Sequence, residues 1–169
     1  VFKILIPVLT ALAFLHVRFH PQNFSQAATG GFLPFGWPGV LTAIATSGIV
    51  FSFNGFQSPF NLAGEARNPQ RSIPIAVIGS ILVATIIYVL LQVAFIGVLS
   101  PAQLINGWHG LDFSSPFAQL ALALSLNMLM LILYADAFIS PSGTGAAFMA
   151  TTTRVVYSMQ RNKTLPALL

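Results

Sequence analysis

The fold depends most on the stretch Phe51-Ser-Phe-Asn-Gly-Phe-Gln-Ser-Pro59, which interrupts an otherwise apolar run. The residues before it, 37–50, carry no charge and are mostly small or aliphatic. Pro59 has no N–H to donate, and in a helix its ring clashes with the carbonyl four residues back. Gly55 opens the backbone without a Cβ penalty. The stretch therefore predicts a helix that breaks in its middle.

Such a break has two interpretations if the segment lies within a membrane. Each backbone group freed in hydrocarbon costs several kcal/mol unless protein or a water-filled cavity satisfies it. A broken helix therefore favours a polar binding site. The alternative is a Pro-kinked helix whose freed groups are satisfied by neighbouring side chains.

Composition predicts an all-α integral membrane protein. Of the 169 residues, 56% are hydrophobic and 6% are charged, whereas about a quarter are charged in a soluble domain. The apolar runs are continuous rather than alternating, which favours membrane helices. The chain has no cysteine, which excludes disulfide scaffolds, thiolate metal sites and cysteine nucleophiles. We predict no cofactor and no metal site.

We predict one transmembrane region over residues 1–169, with spans at about 1–17, 37–66, 73–99 and 127–160. About 20 apolar residues suffice for each crossing. Pro74 is expected in the first turn of the third span, where proline is tolerated. Ser115-Pro116 predicts the start of a short interfacial helix that turns into the fourth span near Leu126. Because the chain begins with Val inside an apolar run, we interpret it as an internal piece of a longer protein.

The basic residues predict the orientation of these spans in the cell membrane. Loop 66–72 and the C-terminal end together carry five basic residues, namely Arg67, Arg71, Arg154, Arg161 and Lys163. The loops on the opposite side carry only Arg18. The positive-inside rule therefore assigns loop 66–72 and the C-terminal end to the cytoplasm. The net charge of +4 thus reflects topology rather than a nucleic-acid partner.

A small charge cluster is predicted on the cytoplasmic side. Glu65 lies close in sequence to Arg67 and Arg71. A salt bridge that gates the protein is one interpretation. An ordinary cluster at the membrane interface is the more common arrangement.

The predicted break has the chemistry to bind a zwitterion. Carbonyls at the end of the first half-helix, residues 51–54, would face a cation, and N–H groups around residues 58–61 would face an anion. Transporters with discontinuous helices use this arrangement. Phe51, Phe53 and Phe56 would line or gate such a pocket, or would instead pack against lipid or core.

Two ionisable residues lie inside the predicted spans. Lys3 either carries out ion coupling or extends its long side chain to the interface. Asp136 lies nine residues after Asn127, about 14 Å along a helix, too deep for so short a side chain to reach water. Asp136 therefore either takes part in proton or ion coupling or makes a structural hydrogen bond. The nearby stretch Ser140-Pro-Ser-Gly-Thr-Gly145 offers hydroxyl ligands, or instead hydroxyls bonded back to the preceding turn.

Two motifs resemble one family. Phe53-Asn-Gly-Phe-Gln57 followed by Ala63-Gly-Glu-Ala-Arg-Asn-Pro-Gln-Arg-Ser-Ile-Pro74 resembles the sixth helix and following loop of amino acid permeases of the amino acid–polyamine–organocation (APC) superfamily. Thr153-Arg-Val-Val-Tyr-Ser-Met-Gln-Arg-Asn-Lys-Thr-Leu-Pro166 resembles the end of the eighth helix in the same family. The segment from Asp136 to Gly145 is most similar to the aspartate:proton symporter branch.

The resemblance implies that the chain is a fragment, about helices five to eight, of a twelve-helix transporter with two inverted five-helix repeats and a discontinuous sixth helix. It implies a substrate-binding group formed by Phe51, Phe53, Asn54, Gly55 and Gln57. Several relatives carry Glu where this chain has Gln57. The resemblance also makes Lys3 a coupling residue, with an ion- or proton-coupling group formed by Lys3, Asp136, Ser140, Ser142 and Thr144.

The predicted function is secondary active transport of amino acids by alternating access, coupled to protons by symport. The expected partners are an amino acid, H⁺, the lipid bilayer and the remaining helices of the parent transporter. Alternatives are an amino acid exchanger, a sodium-coupled carrier, or a membrane scaffold subunit that transports nothing. An enzyme is not expected, because the sequence lacks a convincing nucleophile, metal cluster or carboxylate pair.

Overall fold

The chain folds into helices joined by turns. A computed structural model describes residues 2–25, 32–46 and 48–164, and for Phe2, Lys3, Glu65 and His109 it describes the backbone alone. Within these residues the α-helices are α1 (Phe2–Val17), α2 (Gly36–Thr46), α3 (Ser58–Asn61), α4 (Pro69–Val98), α5 (Pro116–Ala123) and α6 (Asn127–Arg161). Short 3₁₀ turns occupy Pro21–Phe24, Phe51–Phe53, Ala63–Glu65 and Trp108–Gly110. The described part of the chain contains no strand, in agreement with the all-α prediction.

The hydrophobic core lies at one end of the molecule, where α1, α4 and α5 meet. Small residues such as Ala11 on α1 and Ala94 on α4 are fully buried there, which lets the helix backbones approach closely. Phe14 fills the space between the helices and stacks on Phe117 at a centroid distance of 6.3 Å. The buried members of this core cluster are Ala11, Phe14, Ala94, Val98, Leu99, Leu104, Leu120 and Ala121.

The turn after α1 is bound to the C-terminal end of α4. Asn23, which is 1% exposed, donates its side-chain amide to the carbonyls of Ile96 at 2.8 Å and Leu99 at 2.9 Å. The last carbonyls of a helix have no partner within the helix, so a distant side chain satisfies them here. The His20 N–H also donates to the Gly97 carbonyl at 2.7 Å. These hydrogen bonds fix the turn after α1 against the C-terminal end of α4.

One helix of the described residues, α4, is long and apolar enough to cross a membrane. A second candidate consists of α2 and the segment Phe51–Asn61, which together qualify if they form one span bent by 46°. The apolar part of α1, Ile4–Val17, is shorter than a full span. The 35-residue α6 is long enough but carries Asp136 and a polar stretch in its middle. The four-span arrangement stays a prediction.

The helix boundaries differ from the sequence expectation at α4. This helix begins at Pro69, four residues before the expected start at Ile73. Pro74 is therefore its sixth residue and lies beyond the first turn. The N–H groups of Arg71 and Ser72 donate to the Asn68 carbonyl, so Asn68-Pro69 starts the helix and Pro69 takes the position that tolerates proline. Arg71 is compatible with the first turn of the helix because it is exposed there.

The start of α5 agrees with the sequence expectation. Pro116 begins the helix, and Ser115 occupies the capping position, although its hydroxyl makes no capping hydrogen bond. A turn at Ser125, with a φ of 60°, then leads into α6. Pro141 lies inside α6 without ending it.

Candidate functional site

The helix breaks within the stretch that the sequence indicates, but the first half ends earlier than expected. The α-helical part of the first half, α2, ends at Thr46, whereas the sequence predicts an end at residues 51–54. A 3₁₀ turn at Phe51–Phe53 follows, and α3 begins at Ser58. Gly55 has a φ of 103°, in the region that residues with a Cβ rarely adopt. Gly48, closer to α2, has a φ of 82°, so two glycines with positive φ lie between α2 and α3.

Local hydrogen bonds satisfy much of the broken backbone. The Gly55 N–H donates to Oε1 of Gln57 at 3.1 Å. The Ser58 N–H donates to the Gly55 carbonyl at 3.0 Å, and the Phe60 N–H donates to the Gln57 carbonyl at 3.0 Å. The expectation that N–H groups of residues 58–61 face an anion is therefore wrong for Ser58 and Phe60, because turns use their N–H groups. Pro59 has no N–H to offer.

Tyr88 on α4 contacts the break directly. Its hydroxyl donates to the Ser52 carbonyl at 2.8 Å. Its ring meets the Phe53 ring edge-on, with a centroid distance of 5.4 Å and an interplanar angle of 77°. Sequence reasoning did not single out Tyr88. The available signal was a phenolic hydroxyl in a span without charged residues, since such a group needs a polar partner in hydrocarbon.

A cavity of about 310 Å³ lies elsewhere, near the core end, whereas a cavity of about 230 Å³ opens between the break and α4. The polar groups around the second cavity are hydroxyls, an amide and backbone. Its lining residues are Ser52, Phe53, Asn54, Gly55, Phe56, Ser80, Ile81, Ala84 and Tyr88.

The five residues predicted to bind substrate are divided between the two sides of the break. Phe53, Asn54 and Gly55 line the cavity that faces α4. Gln57 lines a different cavity of about 250 Å³, which it shares with Ser58, Asn61 and residues of α6. Phe51 is 68% exposed and lines neither cavity. The structure therefore brings three of the five together on one side.

The coupling residues predicted on α6 also fall into two groups. Asp136, Ser140 and Thr144 are half-buried and follow one another at four-residue intervals, so they lie along one face of the helix. Ser142 is exposed on a different face. The Thr144 hydroxyl donates to the Ser140 carbonyl at 2.9 Å, and the Ser142 hydroxyl donates to the Phe138 carbonyl at 3.0 Å. These two hydroxyls therefore show the back-bonded alternative.

Two of the predicted charged positions have side chains outside the described atoms. Lys3 lies in the first turn of α1, and Glu65 ends the 3₁₀ turn that follows α3. Arg67 lies between that turn and α4, and Arg71 lies in the first turn of α4. Both arginines are exposed. The pairing of Glu65 with them, and of Lys3 with α6, stays a prediction.

The whole chain, residues 1–169, matches the amino acid permease family. The glutamate/serine transporter AimA of Bacillus subtilis (strain 168) is 60% identical over 170 residues, which cover 99% of this chain and 31% of that protein. The aspartate-proton symporter of the same organism is 44% identical over 167 residues, covering 98% and 31%. Its branched-chain amino acid permease BcaP is 30% identical over 166 residues, covering 98% and 33%.

The chain spans about a third of the length of these relatives. No solved structure matches it. The family and the names of the relatives confirm the resemblance drawn from the two motifs, and these relatives are named as transporters rather than as enzymes. The chain therefore belongs to the amino acid permease family.

Proposed function

We propose that this chain forms about helices five to eight of an amino acid transporter that works by alternating access. In this proposal α1 is helix five, α2 and α3 are the two halves of helix six, α4 is helix seven and α6 is helix eight. The family match over the full chain supports the proposal, as does the coverage of about a third of each relative. Loop 66–72 and the C-terminal end would face the cytoplasm, in keeping with their basic residues.

The substrate would bind at the break in helix six. The observation that carries this proposal is the cavity of about 230 Å³ that the break opens against α4, with Asn54 and Gly55 in its lining. An amino acid presents an ammonium group that backbone carbonyls near a helix end attract. Phe53 would contact the substrate, and Phe51, being exposed, is free to act as a gate. Gln57 would contact the substrate from the cavity that the break shares with α6.

Transport would be coupled to protons. The relative named an aspartate-proton symporter, 44% identical to this chain, supports this choice over sodium coupling or exchange. Asp136 is the acidic group within α6, and its half-buried face also carries Ser140 and Thr144. Acidic residues inside membrane helices commonly belong to proton pathways. Lys3 would be the second coupling residue, and Ser142 the least central of the group.

The test is uptake by the complete transporter that contains this chain, reconstituted into proteoliposomes. Radiolabelled glutamate, aspartate and serine are offered first, because the names of the relatives include them, and other amino acids follow. We expect uptake that rises when the proton concentration is higher outside than inside. Uptake that ignores the gradient but requires an amino acid inside would indicate exchange instead. Uptake that needs a sodium gradient would indicate a sodium-coupled carrier, and folded protein that takes up nothing would favour a scaffold.

The coupling residues are tested in the same vesicles. Asp136→Asn and Lys3→Ala should abolish the response to the proton gradient, while exchange of internal for external substrate continues. This separates coupling from binding, because exchange needs the substrate site but no net proton movement. A full response to the gradient in both variants would contradict the coupling roles and leave the transport proposal standing.

A further inference from the structure

The break leaves a carbonyl that the helix itself would normally satisfy. In a continuous α-helix the Ser52 carbonyl would accept the N–H of Phe56. The positive φ of Gly55 takes Phe56 out of that register. The Ser52 carbonyl instead accepts the hydroxyl of Tyr88, which lies 36 residues later in the chain. A side chain of α4 thus replaces a backbone N–H of the broken helix.

Tyr88 makes its two contacts on either side of the same peptide unit. The hydroxyl holds the carbonyl of Ser52, and the ring packs edge-on against Phe53. Ser52, Phe53 and Tyr88 all line the cavity between the break and α4. The position of Asn54, the next residue in the lining, depends on the same turn. Tyr88 therefore controls the shape of one wall of the cavity.

We propose that Tyr88 is a positioning residue for the substrate. Its hydroxyl fixes the turn at residues 52–54, so that Phe53 and Asn54 are in place before the substrate binds. A carbonyl oxygen has two lone pairs, so the bond from Tyr88 leaves the Ser52 carbonyl able to accept a second donor from the substrate. This inference rests on the proposed function, because it assigns the cavity at the break to the amino acid.

The fold itself does not depend on this hydroxyl. Tyr88 is 40% exposed and does not belong to the core cluster. The buried residues of α4 that belong to the core cluster, Ala94 and Val98, lie about one and a half turns or more beyond Tyr88. Removing the hydroxyl should therefore change the binding of substrate and leave the folded protein intact.

The experiment compares Tyr88→Phe with wild type in the uptake assay, together with thermal unfolding of the purified transporter. Tyr88→Phe keeps the ring contact with Phe53 and loses the bond to Ser52. We expect KM to rise about fivefold, the effect of one hydrogen bond, while the maximal rate and the unfolding temperature stay at wild-type values. Tyr88→Leu, which also removes the ring contact, should raise KM further. The matched control is Tyr157→Phe, which deletes the same hydroxyl from a tyrosine of α6 that is 65% exposed.

The outcomes separate this inference from the proposed function. Normal uptake by wild type with an unchanged KM in Tyr88→Phe would overturn the role of Tyr88 alone. A rise in KM accompanied by a lower unfolding temperature would also overturn it, since Tyr88 would then support the fold. An equal rise in KM for Tyr157→Phe would do the same. Absence of uptake by folded wild-type protein would overturn the proposed function, and the role of Tyr88 with it.

Discussion

The two ends of α4 have opposite surroundings although they belong to one helix. At its C-terminal end Ala94, Val98 and Leu99 are buried by α1, α5 and the loops beside them. Towards its N-terminal end Ile75 is 63% exposed and Leu82 is 59% exposed, and the broken segment contacts the middle of the helix between Ser80 and Tyr88. In a membrane protein such apolar faces meet lipid or other helices. The comparison teaches that the tightly packed core and the open cavity at the break occupy different positions along the same helix.

The largest expected difference between the core cluster and the break is the loss of stability when a phenylalanine is replaced by alanine. Phe14→Ala should lower the free energy of unfolding by about 3–5 kcal/mol, because it empties a fully buried position in the core cluster. Phe51→Ala should change it by less than about 0.5 kcal/mol, because Phe51 is 68% exposed. Thermal or denaturant unfolding of the purified transporter measures both. Equal losses of unfolding free energy in the two variants would contradict the difference in packing between the core cluster and the break.

The next largest loss of stability is expected at Asn23, whose side-chain amide binds the C-terminal end of α4. Asn23→Asp should cost about 3 kcal/mol of stability or more, because it replaces a donor by a carboxylate that faces the carbonyls of Ile96 and Leu99. Negative charge is also unfavourable at the C-terminal end of a helix. Asn23→Ala, which loses two hydrogen bonds but adds no charge, should cost about 2 kcal/mol. The prediction fails if the aspartate variant unfolds at a higher temperature than the alanine variant.

Two glycines of α4 allow the comparison to be made within one helix. A Cβ at Gly97 would collide with the ring of Phe19, whereas a Cβ at Gly79 would meet nothing within 4 Å. Gly97→Ala should therefore destabilise by about 1–3 kcal/mol. Gly79→Ala should stabilise by up to about 1 kcal/mol through helix propensity. Unfolding measurements of the two variants should give opposite signs, and the same sign for both would argue against close packing at Gly97.

A modest loss of stability is expected from a substitution at the break. Gly55→Ala has open space around its Cβ but must adopt a φ of 103°, so it should cost about 1–2 kcal/mol. Its effect on uptake should be much larger, because the turn that carries Asn54 would relax. Gly64→Ala is the control, since Gly64 also has open space but no positive φ. Full uptake by Gly55→Ala would favour a simple kink over a substrate site.

Much of the local structure could be predicted from the sequence. Gly55 and Pro59 predict the break because their effects act on their own backbone and the adjacent turn. Ser115-Pro116 predicts the start of α5 for the same reason. The helix α4 begins before the span predicted at residues 73–99, since Asn68-Pro69 already begins a helix although the residues around Arg71 were interpreted as loop.

The candidate site was predicted only in part. Phe53, Asn54 and Gly55 were identified because they belong to the break itself. Gln57 was predicted to belong to the same group, but it lines the cavity shared with α6 instead. Tyr88 was missed, because nothing in its own neighbourhood along the chain shows that Ser52 needs a donor. The back-bonding of Thr144 was one of two alternatives that the sequence left open.

The sequence by itself determined the helical class, the family, and the place of the break before α3, because composition, motifs and local backbone chemistry act over a few residues. Only the tertiary structure decided which side chains donate hydrogen bonds to the carbonyls at the break and at the C-terminal end of α4. Tyr88 reaches Ser52 across 36 residues, and Asn23 reaches Leu99 across 76. Such partners depend on how α1 and the break pack against α4. The physical reason is that a freed carbonyl accepts any suitable donor, and packing alone selects which donor lies within reach.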